Sequence, residues 1–171
     1  MGGRIADYPT PEKRPGYQDV DIVLVEPQIP QNTGSIARTC AATDTVLHLV
    51  GPLGFDLSEK AVRRAGLDYW PHVKLARHGT WDGYVESRKP SKVWLFSKFG
   101  QRLYTTADFG PSDALVFGSE TKGLGEEFLN QFPSDQILRI PIVTEYVRSL
   151  NLSNAVSIAL YEARRQLAMD T

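Results

Sequence analysis

Five short runs rich in apolar residues, 19–25, 45–50, 92–97, 113–117 and 136–140, recur along the chain with helical patterns between them and no hairpin turns. The first, Asp19-Val20-Asp21-Ile22-Val23-Leu24-Val25, is almost continuously apolar, the pattern of a strand covered on both faces. Strands alternating with helices predict an α/β domain with a mainly parallel sheet flanked by helices. Such sheets collect ligands beyond the carboxyl ends of their strands. Here that position falls to the polar or glycine-rich loops 28–34, 51–54, 97–100, 118–123 and 142–154.

The intervening segments carry helix signals. Pro27 and Pro30 fix a loop over 27–34, and Ile36 and Cys40 suit a short helix over 35–43. Ser58 is placed to cap a helix over 58–65, on which Lys60, Arg63 and Arg64 fall at i, i+3 and i+4 and share one face. That face reads either as solvated charge or as a phosphate contact. Further helices are expected over 80–87 and 124–132. At the C-terminus Val156, Leu160, Ala163 and Leu167 make one apolar helical face, with Arg164 and Arg165 in the last turns where cations suit the helix dipole. Ser149, Asn151, Ser153 and Asn154 crowd its start. A cap needs one or two such residues, so the surplus points to a polar loop facing a ligand.

The bulk numbers fit this picture. With 171 residues, 42% hydrophobic and 23% charged, the chain suits one soluble globular domain, expected over 20–171 after a flexible tail over 1–19 that holds Pro9, Pro11 and Pro15. No apolar run approaches the roughly 18 residues of a membrane span, and no signal peptide is evident. Cys40, the only cysteine, sits beside Ala41 and Ala42 and reads as a small packed group, which suits a reducing cytoplasmic setting. A net charge of −1 makes the molecule no polycation, so a nucleic-acid surface must come from local clustering or a second subunit. The three histidines lack partners at metal-ligand spacing, and no metal site is assigned. The 118–123 segment has neither P-loop nor dinucleotide-fingerprint spacing.

Three ordered blocks carry a resemblance. They are Pro30-Gln31-Asn32-Thr33-Gly34-Ser35-Ile36-Ala37-Arg38, then Leu115-Val116-Phe117-Gly118-Ser119-Glu120-Thr121-Lys122-Gly123-Leu124, and then Arg139-Ile140-Pro141 with Arg148-Ser149-Leu150-Asn151-Leu152-Ser153-Asn154-Ala155-Val156. Together they resemble the motifs of the SPOUT RNA ribose methyltransferases, and within them the TrmL family of tRNA wobble-nucleotide 2′-O-methyltransferases. The resemblance covers about residues 21–168; Leu150 and Ser119 depart from it, standing where methionine and proline are expected. It implies a SPOUT fold with a C-terminal trefoil knot, S-adenosylmethionine as methyl donor (S-adenosylhomocysteine as product), a homodimer, and a tRNA anticodon loop as substrate. The rivals are a ribose methyltransferase for another tRNA or rRNA site and a non-catalytic knotted RNA-binding module.

The resemblance also implies roles. Phe96, Gly118, Ile140, Ser149 and Leu152 would surround the donor, although Phe96, Ile140 and Leu152 also read as plain core. Asn32 and Glu120 would position loops and acceptor, and Ser149 and Asn151 would meet methionine or ribose groups; turn bonding is the alternative for these polar residues. Arg38 matches the family arginine thought to act on the acceptor. A guanidinium is a poor base, so the expectation is that Arg38 grips the adjacent phosphate bidentately while phosphate or water relays the proton. Arg148, Lys60, Arg63 and Arg64 are candidate contacts to the RNA backbone.

Overall fold

The structure, a computed structural model, describes residues 20–58 and 69–167. The helix expected over 58–65, with Lys60, Arg63 and Arg64, therefore lies almost wholly outside the described residues, as does the 1–19 tail. The strands are β1 (Asp21–Val25), β2 (Leu47–Val50), β3 (Leu75–His78), β4 (Val93–Phe96), β5 (Arg102–Leu103), β6 (Ala114–Phe117) and β7 (Ile137–Arg139). They form one 7-stranded sheet in the order β3-β2-β1-β6-β4-β7-β5, every pairing parallel. The helices are α1 (Pro30–Thr43), α2 (Trp81–Arg88), α3 (Glu126–Leu129) and α4 (Leu152–Leu167).

Alternation along the strands divides the core between the two faces of the sheet. Ile22, Leu24, Leu47, Leu49, Leu115 and Phe117 point to the face covered by Ile36, Ala37 and Cys40 of α1 and Val156, Ala159, Leu160 and Ala163 of α4. Val23, Val50, Leu95 and Val116 point to the other, against Tyr84 of α2 and Leu129 of α3. This is why the central strands read as unbroken apolar runs. Polar clips fix α4 on α1: Thr39 Oγ1 and Ser157 Oγ lie 3.3 Å apart, and Arg164 donates to the Thr43 carbonyl at 3.1 Å, where a cation meets the negative end of α1.

The structure corrects several expected boundaries. The block expected as a loop over 27–34 is largely helical: α1 starts at Pro30, whose fixed φ and missing amide suit a first helical position. Two strands were not expected. β3 has a single buried residue, Leu75, followed by the polar Arg77 and His78 on the sheet's edge, and β5 is too short to show any period. The helix expected over 124–132 shrinks to Glu126–Leu129, and α4 begins at Leu152, so that Ser149 and Asn151 precede it. Among the described residues no helix is long and apolar enough to cross a membrane.

A candidate methyl-transfer site at the strand ends

Because all strands run parallel, the loops after β1, β4, β6 and β7 open on one edge of the sheet. There they border a cavity of about 1020 Å³, at the upper end of the ordinary range for ligand sites. Phe96 and Phe117 end β4 and β6 in register, and their rings stack with centroids 4.6 Å apart at 13°. Ile140 and Leu152 add apolar wall, and Ser149 and Asn151 bring polar tips.

The turn after β6 is closed tightly. Ser119 and Gly123 exchange amide-to-carbonyl bonds of 3.2 and 2.9 Å, and Gly123 holds a φ of +62°. A Cβ on Gly118 would lie 1.9 Å from the Gly123 carbonyl carbon, so only glycine fits. Ser119, the departure from the expected proline, accepts from the Lys122 amide through its hydroxyl at 3.2 Å and so secures the turn in another way.

One hydrogen-bonded chain joins the three blocks. Glu120 accepts from the amides of Gln28 and Ile29 at 2.8 and 3.0 Å and from Asn32 Nδ2 at 3.3 Å. Asn32 Oδ1 in turn accepts from Asn151 Nδ2 at 3.0 Å, and Asn151 Oδ1 accepts from the Ser153 amide and hydroxyl at 2.9 and 2.6 Å. Ile29, the residue before α1, has no side chain that could hold the entry to this helix, and Glu120 does so from 91 residues away. Asn151 bonds its own turn and also lines the cavity.

Phe96, Gly118, Ile140, Ser149 and Leu152 thus come together around the cavity, and Asn32, Glu120 and Asn151 with them. Arg38 and Arg148 do not line it. Six residues along α1 amount to a turn of about 240° and a rise of about 9 Å, which takes Arg38 off the face that carries Asn32. The Arg38 side chain is exposed, its guanidinium 5.8 Å from the Tyr69 ring centroid, and the Tyr69 hydroxyl donates to the Gly34 carbonyl at 2.7 Å. Sequence reasoning missed Gln28, whose amide meets Glu120 and whose side chain accepts from Thr121 at 2.7 Å; its position next to the first block was the only signal.

It also missed a buried polar cluster under α2. Arg88 donates twice to Asp21, at 2.9 and 2.7 Å, the Tyr84 hydroxyl donates to Asp21 at 3.3 Å, and His48 Nε2 faces the same carboxylate at 3.4 Å. His48 Nδ1 and His78 Nε2 lie 2.9 Å apart, a hydrogen bond whose donor is set by the tautomer. Burial pushes the Asp21 carboxyl up, but hydrogen bonding and attraction from His48 and Arg88 outweigh it and bring it down to about 2. Burial, aided by repulsion from His48 and Arg88, lowers His78 to about 4. Asp21 and the histidines lie far apart in sequence, and only the parallel register brings them side by side.

The chain is similar in sequence and fold to known proteins. The chain is 47% identical over 147 residues, 86% of its length and 95% of the other's, to the tRNA (cytidine(34)-2′-O)-methyltransferase of Saccharophagus degradans. It superposes with a TM-score of 0.80 and 47% identity, covering 88% of this chain and 97% of the other, on a solved structure concerned with the 2-OH methylation of C/U34 on tRNA. An AdoMet-bound rRNA methyltransferase from Sinorhizobium meliloti matches with a TM-score of 0.73 and 27% identity, over 91% of this chain and 59% of that one. The pattern of the SpoU rRNA Methylase family spans residues 19–161, which include all three blocks and the strand ends that hold them together, and the chain belongs to that family.

Proposed function

We propose that the protein is an S-adenosylmethionine-dependent tRNA 2′-O-methyltransferase, acting in the cytoplasm on the ribose of the anticodon wobble nucleotide, cytidine or modified uridine. The observation that supports this most is the chain Glu120–Asn32–Asn151, which ties three distant segments around one cavity. The relatives named for the same chemistry match nearly end to end, which adds to it.

The cavity suits the donor. Phe96, Ile140 and Leu152 offer apolar faces for an adenine ring, Gly118 leaves room for close backbone approach, and Ser149 and Asn151 supply hydroxyl and amide groups for ribose or amino-acid ends. Bound S-adenosylmethionine supplies a methyl group on a positively charged sulfur and leaves as S-adenosylhomocysteine. The protein's part is to hold the acceptor oxygen in line and to provide a path for the hydroxyl proton. Glu120 spends both carboxylate oxygens on three donors, which makes it a strut between loops. Arg38, exposed on α1, grips the neighbouring phosphate through its planar fork, and the phosphate or a water takes the proton. An unpaired anticodon loop suits such a site because it presents a 2′-hydroxyl and a splayed base together.

The reading includes a homodimer and a C-terminal trefoil knot. Ile158 and Tyr161, three apart on α4, are 36% and 51% exposed, and Val143 and Tyr146 are almost fully so, an apolar surface that a second copy would cover. After β7 the chain returns as α4 to pack on α1 and β6, and the knot is carried by the resemblance. The deciding experiment is transfer of labelled methyl to bulk tRNA followed by mapping of the labelled nucleotide. Label on the ribose of nucleotide 34 is expected, and label on a base or at another site overturns the assignment.

A further inference from the structure

The turn after β4 presents a side chain to which the site so far gives no task. Phe99 lines the cavity yet is 69% exposed. The turn fixes the backbone that carries it. The Ser97 amide donates to the Leu138 carbonyl at 2.9 Å, the Gly100 amide donates to the Ser97 carbonyl at 3.1 Å, and Ser97 Oγ accepts from the Phe99 amide at 3.2 Å. Gly100 is pressed against β7, where a Cβ would lie 2.6 Å from the Leu138 carbonyl carbon. Stapled at both ends, the turn holds the ring at the rim.

The lining charge is balanced, with Lys98 and Lys122 against Glu120 and Glu126, and it is a lysine that sits beside the ring. Lys98 Nζ lies 5.1 Å from the Phe99 ring centroid, and Lys122 lines the same cavity. Of the two carboxylates there, Glu120 is held by its three neutral donors toward the loop after β1, and Glu126 is the other. Val143 and Tyr146 are more exposed than Phe99 but do not line the cavity, so their exposure does not point to its ligand. An exposed ring on a fixed turn with an ammonium beside it is how single-stranded nucleic acid is held: the ring stacks on a base, and the cation meets its phosphate.

We propose that Phe99, with Lys98 beside it, is the platform on which an unpaired base of the RNA loop carrying the acceptor ribose stacks. This rests on the reading of the protein as an RNA ribose methyltransferase. The test compares the full-length protein with Phe99→Ala and Phe99→Trp on bulk tRNA and on a synthetic anticodon stem-loop. Phe99→Ala should raise the KM for RNA roughly 5- to 150-fold, the range of losing one stacked base. Phe99→Trp should restore it, and S-adenosylmethionine affinity and sedimentation should not change. An abasic nucleotide at one loop position should reproduce the loss in the unaltered protein and add nothing to Phe99→Ala. An unchanged KM overturns the proposal. So does weakened donor binding, which would make the ring a cover for the donor, and so does a change in assembly, which would make it a subunit contact. If the unaltered protein methylates no tRNA, the functional reading fails instead, and stem-loop binding by fluorescence anisotropy, weaker for Phe99→Ala or not, still decides the role of Phe99.

Discussion

Single residues carry the chemistry, and two of them separate positioning from packing. Arg38 stands clear of the cavity on the exposed side of α1, so its substitution should leave the pocket intact. Arg38→Lys keeps the charge but loses the fork, and turnover on tRNA should fall about 10-fold or more with donor affinity unchanged, as expected when a bidentate charge-assisted contact is lost. Equal turnover in steady-state assays would remove the fork from the mechanism. Gly118→Ala addresses the pocket itself. Its methyl would have to displace the Gly123 backbone, so a loss of about 1–3 kcal/mol in unfolding experiments should accompany loss of donor binding by calorimetry. Gly118 was legible in the sequence as part of a glycine-bounded turn. The pressure on it was not, because a Cβ clash depends on how the turn closes in space.

At the scale of elements, α2 rests on a charged cluster rather than on apolar contacts alone. Asp21 from β1 takes both bonds of Arg88 at the end of α2, and His48 of β2 and His78 of β3 complete the row. Both shifted groups resist protonation in the fold, so the unfolded chain binds more protons and acid lowers stability. The contribution of His78 is complete above its ordinary 6.5 and is lost as pH falls toward about 4; that of Asp21 follows between 3.8 and about 2. Urea midpoints should therefore drop in two stages from pH 7 downward, and His78→Gln should flatten the first. A midpoint constant from pH 7 to 4 would show that His78 takes its proton without cost. Asp21 and His48 are plain in the sequence but sit in runs that read as ordinary strands, and His78 sits in a segment that gave no strand pattern. Their meeting follows from the register that aligns Val23 with His48 and Val50 with His78.

At the scale of the whole molecule, the proposed homodimer predicts that Tyr161→Arg, which places a charge on the exposed side of α4, shifts sedimentation toward the monomer and lowers methyl transfer together. A dimer that persists would move the interface elsewhere. The local chemistry of the chain was enough to establish the α/β class and strands covered on both faces, because burial on both faces demands continuous apolar strands, while the three blocks were carried by their resemblance to the SPOUT family. It was not enough for the edge strands β3 and β5, the helical start of α1, or the link from Glu120 to Asn32 to Asn151. Those depend on which strands become neighbours, and in a parallel sheet neighbours are distant in sequence: β1 pairs with β6, and β4 with β7. Hydrophobic pattern is a property of each segment alone, whereas the cavity exists only where four separate loops are brought to the same edge.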